Sequence, residues 1–338
     1  MGDPKRVNLA LQGGGAHGAF TWGVLDRLLA DERLEIAGIS GTSAGALNGA
    51  AIKCGLARGS RALAAETLEH VWEQVGAQTD ERLAPWFAAQ SPMAISQWIA
   101  ASPAYQVADS FSRLVSPYST PDVAPQALRK IVRSLRFETI CSDEGPQFHV
   151  CATNVRTGKI KLFTRDAITP DAILASACLP TLFPAVEIDG EHFWDGGYTG
   201  NPALFPLFDQ SLPRDVIVVN INPLERPDLP VTASEIQNRI NEISFNSSLL
   251  RELRAIEFVQ RLVRNGRIPE GAMKDVLVHM IADDVLMRQL SVATKTVPNA
   301  AVIHQLRAAG AVAAQAFLDR DFDDIGVRSS VDLEAMFA

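Results

Sequence analysis

The sequence of 338 residues predicts an α/β fold around a mostly parallel sheet, and three observations support this. The N-terminal part of the chain alternates strand-like and helical stretches in the order β–α–β–α, which favours a parallel sheet covered by helices. Residues 215–222 form an apolar run that suits a central, fully buried parallel strand. A G-x-S-x-G pentapeptide at 41–45 lies where the second strand passes into the second helix.

The first elements are predicted from their hydrophobic periodicity. Residues 6–12 alternate apolar side chains at Val7, Leu9 and Leu11, which indicates a buried strand. A glycine-rich segment, residues 13–18, leads into a helix from about 19 to 30. A second strand at 34–40 is followed by a helix from 44 to about 56. These four elements place the ends of both strands at one edge of the sheet.

The rest of the sequence predicts further strands and helices, as expected for an α/β protein. Strands are expected at 147–153, 159–165, 186–188, 192–194, 215–222 and 276–281. Helices are expected at 59–78, 125–136, 170–177, 232–265 and 300–318. Residues 83–123 are aromatic-rich and interrupted by prolines, which predicts short helices joined by loops. We interpret this segment as a packed subdomain, with a lid or acyl-binding cap that touches a lipid surface as the alternative.

Composition excludes several classes of partner. The net charge of −8 and the pI of about 5.3 argue against nucleic-acid binding and against strong attraction to anionic membranes. The apolar run near the N-terminus, residues 7–11, is too short for a signal-peptide core, and no stretch reaches the length of a membrane span. The cysteines lack zinc-ligand spacing and are expected to be buried free thiols: Cys54, Cys141, Cys151 and Cys178. We therefore expect a cytoplasmic protein without metal or cofactor, with peripheral contact at a membrane or lipid granule left open.

The pentapeptide Gly41-Thr42-Ser43-Ala44-Gly45 has the features of a nucleophile elbow. Such an elbow places a serine on a strained turn between a strand and a helix, where glycines leave room around it. The pentapeptide also occurs by chance in glycine-rich loops. Its strand–turn–helix context favours Ser43 as a nucleophile.

The glycine segment ahead of it permits two interpretations. Gly13, Gly15 and Gly18 fit the G-x-G-x-x-G pattern of a dinucleotide site, but the second strand lacks the terminal acid that would bind ribose. A P-loop fails because no Gly-Lys-Ser/Thr follows. Consecutive glycines also let backbone N–H groups converge as an oxyanion hole. Because the ends of both strands share one sheet edge, this loop is expected beside Ser43.

A serine nucleophile needs a base, and the residues alone leave several candidates. His279 and His304 have the chain position expected of an α/β-hydrolase histidine, but one lies within a strand and the other at core-like helical spacing. His17 lies in the glycine loop, where it is expected at most to support the site. Asp195 precedes Gly196-Gly197, and burial would make its carboxylate more basic.

Taken together, the motifs resemble those of the patatin-like phospholipases. The matching stretches follow the family's order and spacing over roughly residues 7 to 205. They are Gly13-Gly14-Gly15-Ala16-His17-Gly18, Gly41-Thr42-Ser43-Ala44-Gly45, Ala175-Ser176-Ala177-Cys178-Leu179-Pro180 with Phe183-Pro184, and Asp195-Gly196-Gly197.

The resemblance implies a three-layer α/β/α fold and a site without a catalytic histidine. Ser43 would be the nucleophile and Asp195 the proton acceptor. The backbone N–H groups of the oxyanion hole would come from the glycine loop and from the helix after the serine: Gly13, Gly14, Gly15 and Ala44. The supporting motif glycines are Gly18, Gly41, Gly45, Gly196 and Gly197. The family usually has Arg where this chain has His17, and arginine there helps to orient the loop.

We predict a single domain over residues 1–338. Its core spans about 7–205 with the embedded cap at 83–123, and residues 206–338 complete the fold. The expected activity is hydrolysis of lipid or phospholipid acyl esters. The alternatives are an esterase acting on another acyl substrate such as a hydroxyalkanoate polyester, an acyltransferase, a conventional Ser–His–Asp hydrolase, and a non-catalytic interaction module.

Overall fold

A computed structural model describes residues 3–77, 84–119, 124–269 and 271–337. Within these residues the strands form one sheet in the order β5-β6-β3-β2-β1-β7-β8, with β4 paired to β3 outside this path. The strands are β1 (Lys5–Leu11), β2 (Leu34–Thr42), β3 (Gln147–Asn154), β4 (Ile160–Thr164), β5 (Val186–Ile188), β6 (Glu191–Asp195), β7 (Asp215–Asn220) and β8 (Leu277–Ala282).

The sheet is parallel through its centre and antiparallel at one side. β3, β2, β1, β7 and β8 run parallel to their neighbours along this row. β4 and β6 each pair antiparallel with β3, and β5 pairs antiparallel with β6. The predicted mostly parallel sheet is therefore confirmed.

Helices connect these strands and cover both faces of the sheet. They are α1 (Gly18–Leu29), α2 (Ala44–Leu56), α3 (Arg61–Gly76), α4 (Ala84–Ala88), α5 (Pro92–Ala101), α6 (Pro103–Leu114), α7 (Ala124–Arg133), α8 (Phe137–Ile140), α9 (Pro170–Ser176), α10 (Ala233–Arg264), α11 (Asp284–Met287), α12 (Val292–Thr296), α13 (Ala300–Asp321) and α14 (Leu333–Met336).

The alternation of side chains along the strands divides the core into two layers. Leu9 and Leu11 on β1 point into a large cluster formed with α1, α2, α3 and α13. Ala10 points the other way, into a smaller cluster with Leu249 and Leu253 of α10. Successive residues of a strand face opposite sides of a sheet. The fold is thus a three-layer α/β/α sandwich, as predicted.

Helices α1 and α13 cross at unusually short range because both carry glycine at the crossing. A Cβ on Gly23 would collide with the backbone of Arg307, and a Cβ on Gly310 would collide with the backbone of Phe20. This contact packs α13 directly on α1, the helix that follows the glycine segment.

The predicted segment 83–123 contains short helices where it is described, namely α4, α5 and α6. Trp86, Phe87 and Trp98 form an aromatic cluster with ring centroids 5.1 to 5.6 Å apart. Residue 83 and residues 120–123, at the ends of the predicted segment, lie outside the described residues. Among described helices, none is long and apolar enough to span a membrane.

Candidate active site

Ser43 lies on a strained turn at the carboxyl end of β2. Its φ of 55° and ψ of −121° fall outside the regions that non-glycine residues favour. A Cβ on Gly41 would lie 2.5 Å from the Gly45 carbonyl oxygen, and one on Gly45 would collide with the Leu11 carbonyl. Glycine is therefore required on both sides of the serine, as the elbow motif predicts.

Hydrogen bonds to two other segments fix this turn. The Ser43 N–H donates to Ser176 Oγ of α9 at 2.8 Å. The Thr42 hydroxyl donates to the Gly200 carbonyl at 2.6 Å. The Ser43 N–H thus has a partner, whereas the N–H of Ala44, at the start of α2, has no acceptor among the residues that the structure describes. Ser176 lies within a recognised motif, but the sequence gives no indication of this contact.

Sheet order brings Asp195 next to Ser43. Asp195 is the last residue of β6 and pairs with Ala152 of β3, while Thr42 pairs with Cys151 of the same strand. The Asp195 side chain is fully buried. Its Oδ1 accepts the Gly197 N–H at 2.7 Å. Its Oδ2 is buried and meets no donor at full hydrogen-bond geometry within the described residues.

The environment of Asp195 favours its neutral form. Burial raises the pKa of this carboxyl to about 7, opposed by hydrogen bonding from the Gly197 N–H and the Ser43 hydroxyl. The Ser43 hydroxyl therefore acts on the carboxylate through a contact that is short of a fully formed hydrogen bond. Contacts of this kind often tighten only in the substrate complex. A carboxylate with a pKa near neutrality is well suited to accept a proton.

The glycine segment, residues 13–18, lies directly against the serine. A Cβ on Gly13 would be 2.6 Å from Ser43 Cβ. The Gly13 N–H donates to Asn201 Oδ1 at 2.6 Å. Contrary to the expectation from sequence, it is therefore not available to an oxyanion. The N–H groups of Gly14 and Gly15 have no acceptor within the described parts of the chain. Of the four N–H groups predicted for an oxyanion hole, those of Gly14, Gly15 and Ala44 thus remain as candidates. The N–H of Gly13 is excluded because it is bonded to Asn201.

The candidate histidines have hydrogen-bond partners other than the serine hydroxyl. His279 is fully buried in β8, where Nε2 lies 3.0 Å from Asp215 Oδ1 and Nδ1 lies 3.1 Å from Ser330 Oγ. This pair sits toward the amino ends of β7 and β8, whereas Ser43 follows the carboxyl end of β2. His17 is buried with Nε2 2.8 Å from Thr294 Oγ1. None of the six hydrogen-bonds to Ser43 in the described structure.

The position of His304 differs from the expectation of core-like spacing. Its side chain is half-exposed on α13 and lies near Glu73 and the Trp22 ring. Helix α13 is rich in alanine, which occurs on both its buried and its exposed sides. The spacing of apolar residues therefore did not show which side of the helix is buried. Among the described residues, no group of three or more His, Cys, Asp or Glu side chains could hold a metal ion.

The comparisons with known proteins identify a family for this chain. The family model described as patatin-like phospholipase matches residues 9–208, a range that includes the glycine segment, Ser43 and Asp195. A search of curated proteins finds no match. Among solved structures, VipD from Legionella pneumophila aligns at 12% identity and a TM-score of 0.33, over 91% of this chain and 67% of the VipD chain. The family predicted from the motifs is confirmed by the family-model match.

Proposed function

The chain belongs to the patatin-like phospholipase family, and from this premise we propose that it hydrolyses lipid acyl esters with Ser43 as nucleophile and Asp195 as base. The observation that carries the proposal is the pairing of a strained, glycine-flanked serine with a fully buried carboxylate. The N–H groups of Gly14 and Gly15, which have no acceptor among the described residues, lie in the loop that packs on the same serine. Nucleophile, base and oxyanion donors are the three parts that acyl transfer requires.

In the acylation step, the Ser43 oxygen bonds to the ester carbonyl carbon and its proton passes to the Asp195 carboxylate. The carbonyl oxygen becomes an oxyanion, which the N–H groups of Gly14, Gly15 and Ala44 stabilise. Each such donor contributes about 3–4 kcal/mol in related chemistry. When the tetrahedral intermediate collapses, the bond to the alcohol breaks and the alcohol oxygen takes the proton from Asp195.

Deacylation repeats these steps with water in place of the serine. Water transfers one proton to Asp195 as its oxygen bonds to the acyl carbon. Collapse of the second intermediate breaks the bond to the Ser43 oxygen, which recovers the proton from Asp195. The products are the free acid and the unmodified enzyme, so the cycle needs neither metal nor cofactor.

The alternatives differ in substrate and acceptor rather than in this site. A polyester depolymerase or an acyltransferase would use the same Ser43 and Asp195 with another acyl donor or acceptor. A Ser–His–Asp mechanism is disfavoured because His279 is committed to Asp215 and Ser330. A non-catalytic interaction module is disfavoured because the strained Ser43 backbone and the buried Asp195 carboxyl, whose Oδ2 has no fully formed hydrogen bond within the described residues, are costly features of the kind that cluster at active sites.

We further propose that the enzyme reaches its substrate by peripheral contact with a lipid surface. Helices α6 and α10 each carry an exposed apolar stripe at i, i+4, i+7 spacing, and both helices line one groove. The stripes are Val107, Phe111 and Leu114 on α6, and Ile236, Ile240 and Ile243 on α10. Since the net charge is −8, the contact is expected to be apolar rather than electrostatic. Relative turnover on vesicles and on a soluble ester tests it.

Labelling with a fluorophosphonate, followed by peptide mapping, tests the proposed nucleophile. We expect one adduct, on Ser43, and none in Ser43→Ala. Ser40→Ala is the matched control, since Ser40 lies on the same strand and donates to the Ala203 carbonyl. Absence of labelling in folded wild type, or an adduct on another serine, would overturn the assignment.

A further inference from the structure

Helix α12, which carries Lys295, packs against the glycine segment. A Cβ on Gly15 would collide with the Lys295 carbonyl, so the backbones of the two segments are in direct contact. The His17 ring meets the Thr294 hydroxyl of the same helix. The position of the glycine segment therefore depends on α12.

The Lys295 side chain extends from this helix into a buried amide network. Its Nζ donates to Asn222 Oδ1 at 2.7 Å and to Asn241 Oδ1 at 3.0 Å. Asn222 Nδ2 in turn donates to the Gly13 carbonyl at 2.9 Å and to Gln12 Oε1 at 3.1 Å. One ammonium group thus lies two hydrogen bonds from the glycine backbone. Gln12, Asn222 and Asn246 are themselves fully or almost fully buried.

This network fixes the direction of a single N–H group. The Gly13 carbonyl and the Gly14 N–H belong to the same planar trans peptide, in which they point in opposite directions. Asn222 holds the carbonyl on one side, with a longer bond of 3.4 Å from Asn201 Nδ2. The Gly14 N–H must then point to the other side. Without the Asn222 donor, only the longer bond from Asn201 would hold this carbonyl, and the glycine peptide would rotate more easily.

We propose that Lys295 is a positioning residue for the oxyanion hole: its ammonium, acting through Asn222, orients the Gly13–Gly14 peptide so that the Gly14 N–H is held ready for the oxyanion. The proposal rests on the proposed function, because it assigns a role within the same site. Preorganised donors are effective because they need no reorientation during the reaction.

The charge of Lys295 is set by its burial and by charged groups on two neighbouring segments. Burial lowers its pKa to about 8, Glu242 of α10 raises it, and Arg226 lowers it. Arg226 itself is paired with Glu242 at 2.6 Å. Burial and the charge of Lys295 lower the pKa of His17 well below its ordinary value, so His17 is neutral. The ammonium is therefore charged below about pH 8 and is lost above it.

Two ionisations then set the pH range in which the enzyme is active. Asp195 must be deprotonated, which requires a pH above about 7, and Lys295 must be protonated, which requires a pH below about 8. The wild-type pH–rate profile on a soluble ester should be bell-shaped, with an alkaline limb that reports Lys295.

Three variants test this role. Lys295→Met should lower kcat by about 10- to 100-fold, the order expected when a catalytic group is displaced by about 1 Å, and should remove the alkaline limb. Lys295→Arg keeps the charge and should move that limb to higher pH. Asn222→Asp keeps a partner for Lys295 but cannot donate to the Gly13 carbonyl, so its kcat should fall like that of Lys295→Met.

Lys53→Met provides the matched control. Lys53 is also a buried lysine, but its Nζ donates to the Glu144 and Pro146 carbonyls, at the amino end of β3. Its loss should lower the melting temperature and leave the pH profile unchanged. If folded Lys295 variants and Asn222→Asp keep wild-type kcat and the alkaline limb, the proposal is overturned. If instead wild type fails to turn over any ester or label at Ser43, it is the proposed function that fails.

Discussion

At the residue scale, the site concentrates unfavourable features on two residues that lie side by side. Ser43 has a backbone conformation that costs of the order of 1–3 kcal/mol. Asp195 is a fully buried carboxyl whose Oδ2 has no fully formed hydrogen bond within the described residues. Neither feature helps the chain to fold. Both are explained by the proposed reaction, in which a serine oxygen attacks and a carboxylate takes its proton.

We predict that Asp195→Asn stabilises the protein in alkaline solution. The folded-state pKa is raised from 3.8 to about 7, so the folded state retains a proton that the unfolded chain releases between these values. Wild-type stability should fall as pH rises through this window, by roughly 4 kcal/mol at most. The uncharged amide removes this cost. Thermal melts should show a higher melting temperature for Asp195→Asn at pH 8, with a difference that shrinks towards pH 4. A variant less stable than wild type at pH 8 would contradict the burial argument.

Local motifs predicted the proposed nucleophile and base, whereas the contacts that support them could not be predicted from sequence. Ser43 is flanked by the glycines that its turn requires, so five consecutive residues identify it. Asn201 and Asn222 act on Gly13 from about 190 and 210 positions away, and no local pattern encodes such a contact. For this reason Gly13 was predicted from sequence to be an oxyanion donor, although its N–H donates to Asn201 Oδ1 in the structure.

At the element scale, hydrophobic periodicity predicted the strands and most helices, including the long helix α10. The helix predicted at 125–136 is shorter in the structure, since α7 ends at Arg133, and a separate short helix, α8, begins at Phe137. The Ser134 hydroxyl bonds back to the Ile131 carbonyl and competes with continuation of the helix. Helix α12, with Lys295, was not predicted because five residues are too few to show a period.

The apolar stripes on α6 and α10 lead to a prediction about lipid surfaces. In the double variant Phe111→Asp with Ile240→Asp, we expect turnover on phosphatidylcholine vesicles to fall by about 10-fold or more, because each buried apolar side chain contributes about 1.5–3 kcal/mol. Turnover on a soluble short-chain ester should not change. Parallel rate assays on the two substrates measure the difference.

Val312→Asp is the control for this assay, since Val312 is an exposed apolar residue on α13. It should leave both rates unchanged. Equal losses on vesicles and on the soluble ester in the double variant would show damage to the site rather than to a docking surface. Unchanged rates on vesicles would exclude the stripes from lipid contact.

At the scale of the whole molecule, the residues after 208 supply parts that the N-terminal sheet needs. β7 pairs with β1 on the side opposite β2, and α13 crosses α1 at its glycine. Asn222 and Lys295 also come from this region and act on the glycine segment. We therefore keep the proposal of a single domain, in which residues 206–338 complete both the core and the site.

A chain that ends at residue 208, where the family-model match ends, should not fold. It would expose one edge of β1 and the apolar face of α1, so we expect insoluble material without a cooperative melt. A chain that ends at residue 330 loses α14 and should still melt cooperatively, at a lower temperature. A soluble monomer with a cooperative melt from the shorter chain would show that the domain is divided near residue 208.

The account depends most on Asp195 acting as the base without help from histidine. The direct measurement is kcat on a soluble p-nitrophenyl ester for wild type, Asp195→Asn and His279→Ala, each confirmed as folded by its melt. We predict a loss of about 10²- to 10⁴-fold for Asp195→Asn, the range of a general base, and near wild-type kcat for His279→Ala. An active Asp195→Asn together with an inactive, folded His279→Ala would contradict the account.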